Sequence, residues 1–256
     1  MPERPARKLG KHATHPTPGA QARVRSVLRG ESITPVYQPI VELESGRVIA
    51  YEALSRFPGD PSHTADRWFD DAWGVGLGLE LELLAVRVIA RALPELPPDV
   101  GLSINASPPT LAASGFMRYL SGQAHRVTVE LTEHLGVENY DDLRAMLAPI
   151  EEAGGSTAID DFGAGFASLN HILQVRPDWI KLDMSLTQRI DENPIAHALA
   201  TAIVSFAKNI EVGVIAEGIE TVEELDALAS IGVRFGQGFH LGMPAPLDEA
   251  LASNSG

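Results

Sequence analysis

Carboxylates recur where apolar runs end in this 256-residue chain. The run Ala158-Ile159-Asp160-Asp161 closes on two adjacent acids, passes through Gly163 and Gly165, and turns apolar again by Leu169. Paired carboxylates at a strand end repel unless a cation sits between them, and an all-oxygen donor set suits a hard divalent metal. The same letters also describe a strand followed by an ordinary Asp- and Gly-rich turn, so this stretch does not decide alone. Other runs behave alike: Tyr51-Glu52-Ala53-Leu54-Ser55-Arg56, Ser103-Ile104-Asn105, Val127 to Glu133, Asp178 to Asp183, Ala216 to Glu220 and Phe235 to Gly238. A Glu after a strand is usually just solvated. Lys181, flanked by Ile180 and Leu182, is odder, because an unpaired buried ammonium is expensive. It is expected to project into a polar mouth ringed by carboxylates. Four or five carboxylates, an amide and a lysine on one rim require cations. Two metals roughly 3.5–4 Å apart would balance them and suit in-line phosphoryl displacement.

A rim of that kind needs strands that end together. Apolar runs at 33–42, 48–54, 101–105, 127–131, 156–160, 178–182, 212–216 and 233–238 make eight candidates, mostly separated by helical stretches. Glu44-Ser45-Gly46 between the first two is a hairpin signal, which makes those strands antiparallel. Leu143, Met146, Leu147 and Ile150 form a helical stripe, and Ile195, Leu199, Ile203 and Phe206 another. Thr221 to Glu224 has the form of a capping box, with Gly232 placed to stop the helix. Gly74, Gly76 and Gly78 invite a nucleotide-loop reading, rejected because no strand precedes them. The pattern predicts an α/β fold, a (β/α)₈ TIM-type barrel with an antiparallel first strand. An open doubly wound sheet, the alternative, would lack the opening hairpin.

Composition bounds what the barrel can do. No cysteine is present, which removes disulfides and thiolate metal sites and fits a reducing, cytoplasmic setting. No apolar run can span a bilayer, and no apolar core follows the basic N-terminus, so neither membrane insertion nor a signal peptide is expected. Residues 1–30 carry seven Lys or Arg and one acid; the remainder, with 13 basic and 33 acidic residues, sits near −20. Such a body is a poor partner for polymeric nucleic acid, although bound metals would let it hold a small phosphate ligand. Residues 1–19 are expected to be a disordered basic tail, and 20–256 the barrel.

Tyr51-Glu52-Ala53-Leu54 resembles the signature of the EAL domain family. Gln38-Pro39-Ile40, Asn105, Glu130 to Glu133, Asp160 to Leu169, Asp178 to Asp183, Glu217 to Glu220 and Gln237-Gly238-Phe239 resemble that family in the same order, over roughly residues 20–248. The resemblance implies a (β/α)₈ barrel that hydrolyses cyclic di-GMP to linear 5′-pGpG with two divalent ions, Mg²⁺ or Mn²⁺. It implies that Glu52, Asn105, Glu130 and Asp160 bind one metal, and that Asp160 bridges to a second, which Asp161 also binds. Glu217 becomes general base or second-metal ligand, and Lys181 contacts the attacking water. Arg56 meets a substrate phosphate, Gln38, Leu54 and Gln237 line the substrate mouth, and Glu220 anchors the loop after Asp161. A homodimer is expected. Where the commonest family loop carries Thr, Tyr and Ser, this chain has Ala164, Phe166 and Ala167, a change that bears on turnover rate and dimer coupling. His134 and His240 read as packed or solvated. Two rival readings use the same barrel: a receptor that binds cyclic di-GMP without cutting it, and a protein-interaction scaffold. The first would be expected to lack a ligand or the lysine, and this chain lacks none.

Overall fold

Each apolar run becomes a strand. The computed structural model describes residues 16–59, 62–120, 122–132, 139–163 and 168–253. Its strands are β1 (Thr34–Glu42), β2 (Val48–Arg56), β3 (Gly101–Asn105), β4 (Val127–Thr132), β5 (Ser156–Phe162), β6 (Trp179–Leu182), β7 (Gly213–Ala216) and β8 (Phe235–Gly236). They close into a barrel in sequence order. β1 runs antiparallel to both β2 and β8, and every other pair is parallel. The reversal comes from a tight turn: Gly46 takes φ 71°, its N–H bonds Glu42 O at 2.9 Å, and the Ser45 hydroxyl donates to Glu42 Oε2 at 2.7 Å. Glycine enters that left-handed region without strain.

Helices surround the barrel: α1 (Ala20–Gly30), α2 (Ala65–Gly74), α3 (Gly78–Ile89), α4 (Pro108–Ala112), α5 (Gly115–Tyr119), α6 (Tyr140–Glu152), α7 (Ser168–Val175), α8 (Met184–Thr187), α9 (Pro194–Asn209), α10 (Val222–Ser230) and α11 (Leu247–Ser253). Ile104, Val129, Leu131, Ile159, Ile180 and Leu182 are all buried. They face outward into the helical layer, while the alternate positions, among them Ser103, Glu130 and Lys181, face the barrel interior. On α6 the expected stripe holds: Leu143, Leu147 and Ile150 are buried and Met146 packs against them. On α9 it does not. Ile195 is 79% exposed and Leu199 46%, while Ala196, Ala200, Ile203, Val204 and Ala207 are buried. The two faces have the same period, and the alanine face is the one that lets a helix backbone approach the sheet closely. The capping box of α10 forms as expected, with Glu224 N–H on Thr221 and the Glu224 carboxylate returning to the Thr221 N–H.

At the α2–α3 junction Gly76 takes φ 73° in the turn, and Gly78 serves packing. A Cβ on Gly78 would lie 2.1 Å from the Trp73 ring, so only glycine fits beneath that indole. Residues 16–19, assigned above to the tail, carry specific contacts. Thr17 N–H donates to Asp71 Oδ1 at 2.7 Å, its hydroxyl bonds Asp71 Oδ2, and Arg23 reaches the same oxygen at 2.8 Å. Asp71 on α2 is 1% exposed, and burial, which raises its carboxyl, is outweighed by these hydrogen bonds, which lower it. Residues 1–15 lie outside the described residues. A buried carboxylate that loses a donor keeps its desolvation cost. Thr17→Val is therefore expected to destabilise the fold by about 1–2 kcal/mol, roughly 2–4 °C in Tm per kcal/mol at this size. A melting curve unchanged from wild type would mean that the segment does not dock.

Candidate active site

Strand alternation selects the residues that face the barrel interior. On β2 the inward positions are Glu52, Leu54 and Arg56, while Ala53 and Ser55 are buried on the outer face. On β3 they are Ser103 and Asn105, on β4 Glu130, and on β6 Lys181. Glu217 directly follows β7 and Gln237 follows β8. β5 needs a further device, because adjacent residues of a regular strand point to opposite faces. Its register against β6 runs from Ile159↔Ile180 to Phe162↔Leu182, three steps against two. Asp161, inside the bulge, takes φ 56°. A bulge re-aims a side chain, and this one turns Asp161 toward the side occupied by Asp160. Oxygens of Asp160, Asp161 and Glu217 lie within 4.8 Å of one another.

Lys181 occupies the centre of the cluster. Its Nζ stands 2.8 Å from Glu217 Oε1, 2.9 Å from Glu130 Oε2, 3.1 Å from Asp160 Oδ1 and 3.2 Å from Glu52 Oε2. The ammonium is 1% exposed and has three protons to share among four carboxylates. Gln237 Nε2 donates to Glu52 Oε2 at 2.6 Å and to Glu217 Oε1 at 3.0 Å. Ser103 donates to Glu130 from below. Asn105 Nδ2 lies 3.4 Å from both Glu52 and Glu130.

One ammonium against four ionised carboxylates would leave three net negative charges. Protons relieve this. Burial, with the neighbouring Glu52 charge, pushes Glu130 well above the ordinary carboxylate range. Burial raises Asp160 despite Lys181. It raises Glu217 to about 8, partly offset by Lys181 and reinforced by Asp160. Glu52 goes the other way: burial pushes it up, but the Lys181 charge and the Gln237 and Lys181 hydrogen bonds hold it below the usual value. Lys181 stays firmly charged because its four carboxylates outweigh its own burial.

This donor set fits hard divalent cations. Its metal-binding donors are carboxylates and an amide, oxygens of Asp160, Asp161 and Glu217 lie within 4.8 Å of one another, and Asp160 Oδ1 is buried without an aligned hydrogen bond. Glu52, Asn105, Glu130, Asp160, Asp161, Lys181 and Glu217 thus converge as expected. Arg56 is exposed at the rim and donates to Ser55 O at 3.2 Å, and Leu54 is half-buried beside it. Gln38 pairs with Glu52 across β1–β2 and donates to Gly242 O at 3.1 Å. Glu220 is exposed and accepts from Gln188 at 3.1 Å. The loop that it is expected to anchor, with Ala164, Phe166 and Ala167, lies outside the described residues, as do Glu133 and His134. Ser103 escaped the reading of strand ends. Its signal was available, since it stands two residues before Asn105 and shares its face.

Residues 21–244 match the profile of the EAL domain. The probable cyclic di-GMP phosphodiesterase PdeB of Escherichia coli K12 is 28% identical over 246 residues, covering 90% of this chain and 46% of that protein. The chain spans less than half the length of the curated relatives it matches. Among solved structures, the PaMucR phosphodiesterase in complex with c-di-GMP aligns with a TM-score of 0.76 at 25% identity, over 90% of this chain and 99% of that one. Klebsiella pneumoniae BlrP1, solved with manganese and cyclic di-GMP, aligns with a TM-score of 0.74 at 31% identity, over 84% of this chain and 56% of that one.

A carboxyl whose folded pKa is raised stabilises the fold below its unfolded pKa and loses that contribution as pH climbs through the folded value. For Glu217 the window runs from 4.5 to about 8. The metal-free protein is expected to lose several degrees of Tm between pH 6 and 9, and Glu217→Gln to lose less. Saturating Mn²⁺ should flatten the profile by replacing protons with metal. Identical metal-free Tm values at pH 6 and 9 would show that the cluster does not store protons.

Proposed function

The chain belongs to the EAL domain family, and on that premise we propose that it is a phosphodiesterase that hydrolyses cyclic di-GMP to linear 5′-pGpG. The observation that carries this reading is the convergence of Asp160, Asp161 and Glu217 beside a buried lysine shared by four carboxylates. On this reading Glu52, Asn105, Glu130 and Asp160 hold one divalent ion, while Asp160, Asp161 and Glu217 hold a second. Mg²⁺ or Mn²⁺ bound there would supply Lewis acidity and a more acidic water.

The protein's own groups do the rest. Water oxygen adds to phosphorus, the bond from phosphorus to the ribose 3′ oxygen breaks, and the leaving oxygen takes a proton. Lys181 steadies charge as it develops on the attacking oxygen. Glu217 accepts the water proton as general base, or serves as a carboxylate of the second metal with the proton passing to solvent. Arg56 offers the planar donor pair that suits a phosphate, with Leu54, Gln38 and Gln237 lining the mouth and Glu220 steadying the loop after Asp161. A cytoplasmic location accords with the cysteine-free chain, and no helix among the described residues is long and apolar enough to cross a membrane. The active form is proposed to be a homodimer.

Purified protein with cyclic di-GMP and Mg²⁺ or Mn²⁺ is expected to yield 5′-pGpG by chromatography. Ca²⁺, with longer bonds and more ligands, is expected to inhibit, and full turnover in chelator or equal turnover with Ca²⁺ would overturn the two-metal reading. Lys181→Met removes charge that acts mainly in the transition state, an effect worth about 3–4 kcal/mol. Turnover is expected to fall at least about a hundredfold while cyclic di-GMP binding stays within roughly tenfold. Turnover within a few-fold of wild type would make Lys181 a structural counter-ion.

A further inference from the structure

Asn105 is the least constrained member of the cluster. Its amide lies 3.4 Å from Glu52 and from Glu130, long for an N–H···O bond, and it is exposed at the end of β3. Its placement therefore depends on the main chain that follows. That main chain is held from outside the barrel by Glu82 on α3. Glu82 Oε2 accepts from the Ser107 N–H at 3.1 Å, the Ser107 hydroxyl at 2.6 Å and the Thr110 hydroxyl at 2.6 Å. Its Oε1 accepts from Trp73 Nε1 at 2.7 Å. Three donors thus converge on one oxygen of this carboxylate and a fourth on the other. Ser107 occupies the N-cap position of α4 but makes no capping bond to its own helix, and its hydroxyl is committed to Glu82. Thr110 is fully buried. On the other side, Ala106 N–H bonds Glu130 O at 3.3 Å. The turn from Asn105 to Thr110 is therefore pinned between the β4 backbone at Glu130 and the Glu82 carboxylate on the helical layer.

We infer that Glu82 is a positioning residue for the metal site: it fixes the β3–α4 turn and so keeps the Asn105 amide at the corner between Glu52 and Glu130. The inference rests on the proposed reading of Asn105 as a metal ligand. Groups that orient a ligand typically change metal affinity by about 10–100-fold when removed. Glutamine at position 82 could turn its carbonyl oxygen to Ser107 and Thr110 only by setting its NH₂ against the Trp73 N–H.

The test is a calorimetric titration of the full-length protein with MnCl₂ alone, each variant held well below its own measured Tm. Glu82→Ala is expected to weaken Mn²⁺ binding about tenfold. Ser107→Ala with Thr110→Val, which keeps Glu82 but removes its grip, is expected to do the same and carries the test if Glu82→Ala does not fold. Trp73→Phe removes only the indole partner and is expected to leave affinity within about twofold. In an Asn105→Ala background, Glu82→Ala should add no further loss, because the effect acts through Asn105. Equal affinity of Glu82→Ala and wild type would overturn the inference, as would an additive loss in the Asn105→Ala background, which marks a general structural role. Failure of the wild type to bind Mn²⁺ would instead overturn the metal reading, and this inference with it.

Discussion

The charge balance around Lys181 governs this structure. A lone ammonium buried to 1% exposure would be intolerable, and so would four clustered carboxylates. Together they are tolerable because each supplies what the other lacks. The balance is incomplete, since one positive charge faces four potential negatives. Burial answers the excess by raising the Glu130, Asp160 and Glu217 carboxyls above the ordinary range. A site in this condition is poised to exchange protons for divalent cations, and so metal binding and fold stability are linked here. Breaking the set by removing one member leaves buried charge uncompensated.

The barrel makes that balance possible through two departures from regularity. The first is the reversed β1, which sets Gln38 beside Glu52 and brings the hairpin to the end of the barrel opposite the carboxylates. The second is the β5 bulge, which places consecutive residues Asp160 and Asp161 on one side despite the two-residue period of a strand. A non-glycine residue at φ 56° is uncommon. Its occurrence at a carboxylate of the cluster fits the tendency of backbone strain to gather where function needs an unusual direction.

Support for the rim extends into the helical layer. Glu82 reaches from α3 to the turn after Asn105. Thr187 on α8 bonds the Glu217 carbonyl, and Glu224 on α10 accepts the N–H groups of Arg189, Glu220 and Thr221. These contacts tie the loops after β3, β6 and β7 to helices, so the side chains of the mouth project from a braced rim.

Much of this was legible in the sequence, because it is written in local chemistry. Strand runs, the Glu44-Ser45-Gly46 turn, the Thr221–Glu224 capping box and the carboxylates closing successive runs depend on neighbours a few residues apart. Eight such runs beginning with a hairpin leave few topologies besides the barrel. Which side chains the first half of α9 buries was not legible, since Ile195/Leu199 and Ala196/Ala200 share one period and only the sheet's proximity chooses between them. Nor was the docking of Thr17 on Asp71, which joins residues 54 positions apart. The Ser103 bond to Glu130, the joint hold of Gln237 on Glu52 and Glu217, and the grip of Glu82 likewise unite segments remote in the chain. The protonation of the cluster belongs with them: a carboxyl's pKa depends on burial and on charges within a few ångströms, and only chain closure decides which charges those are.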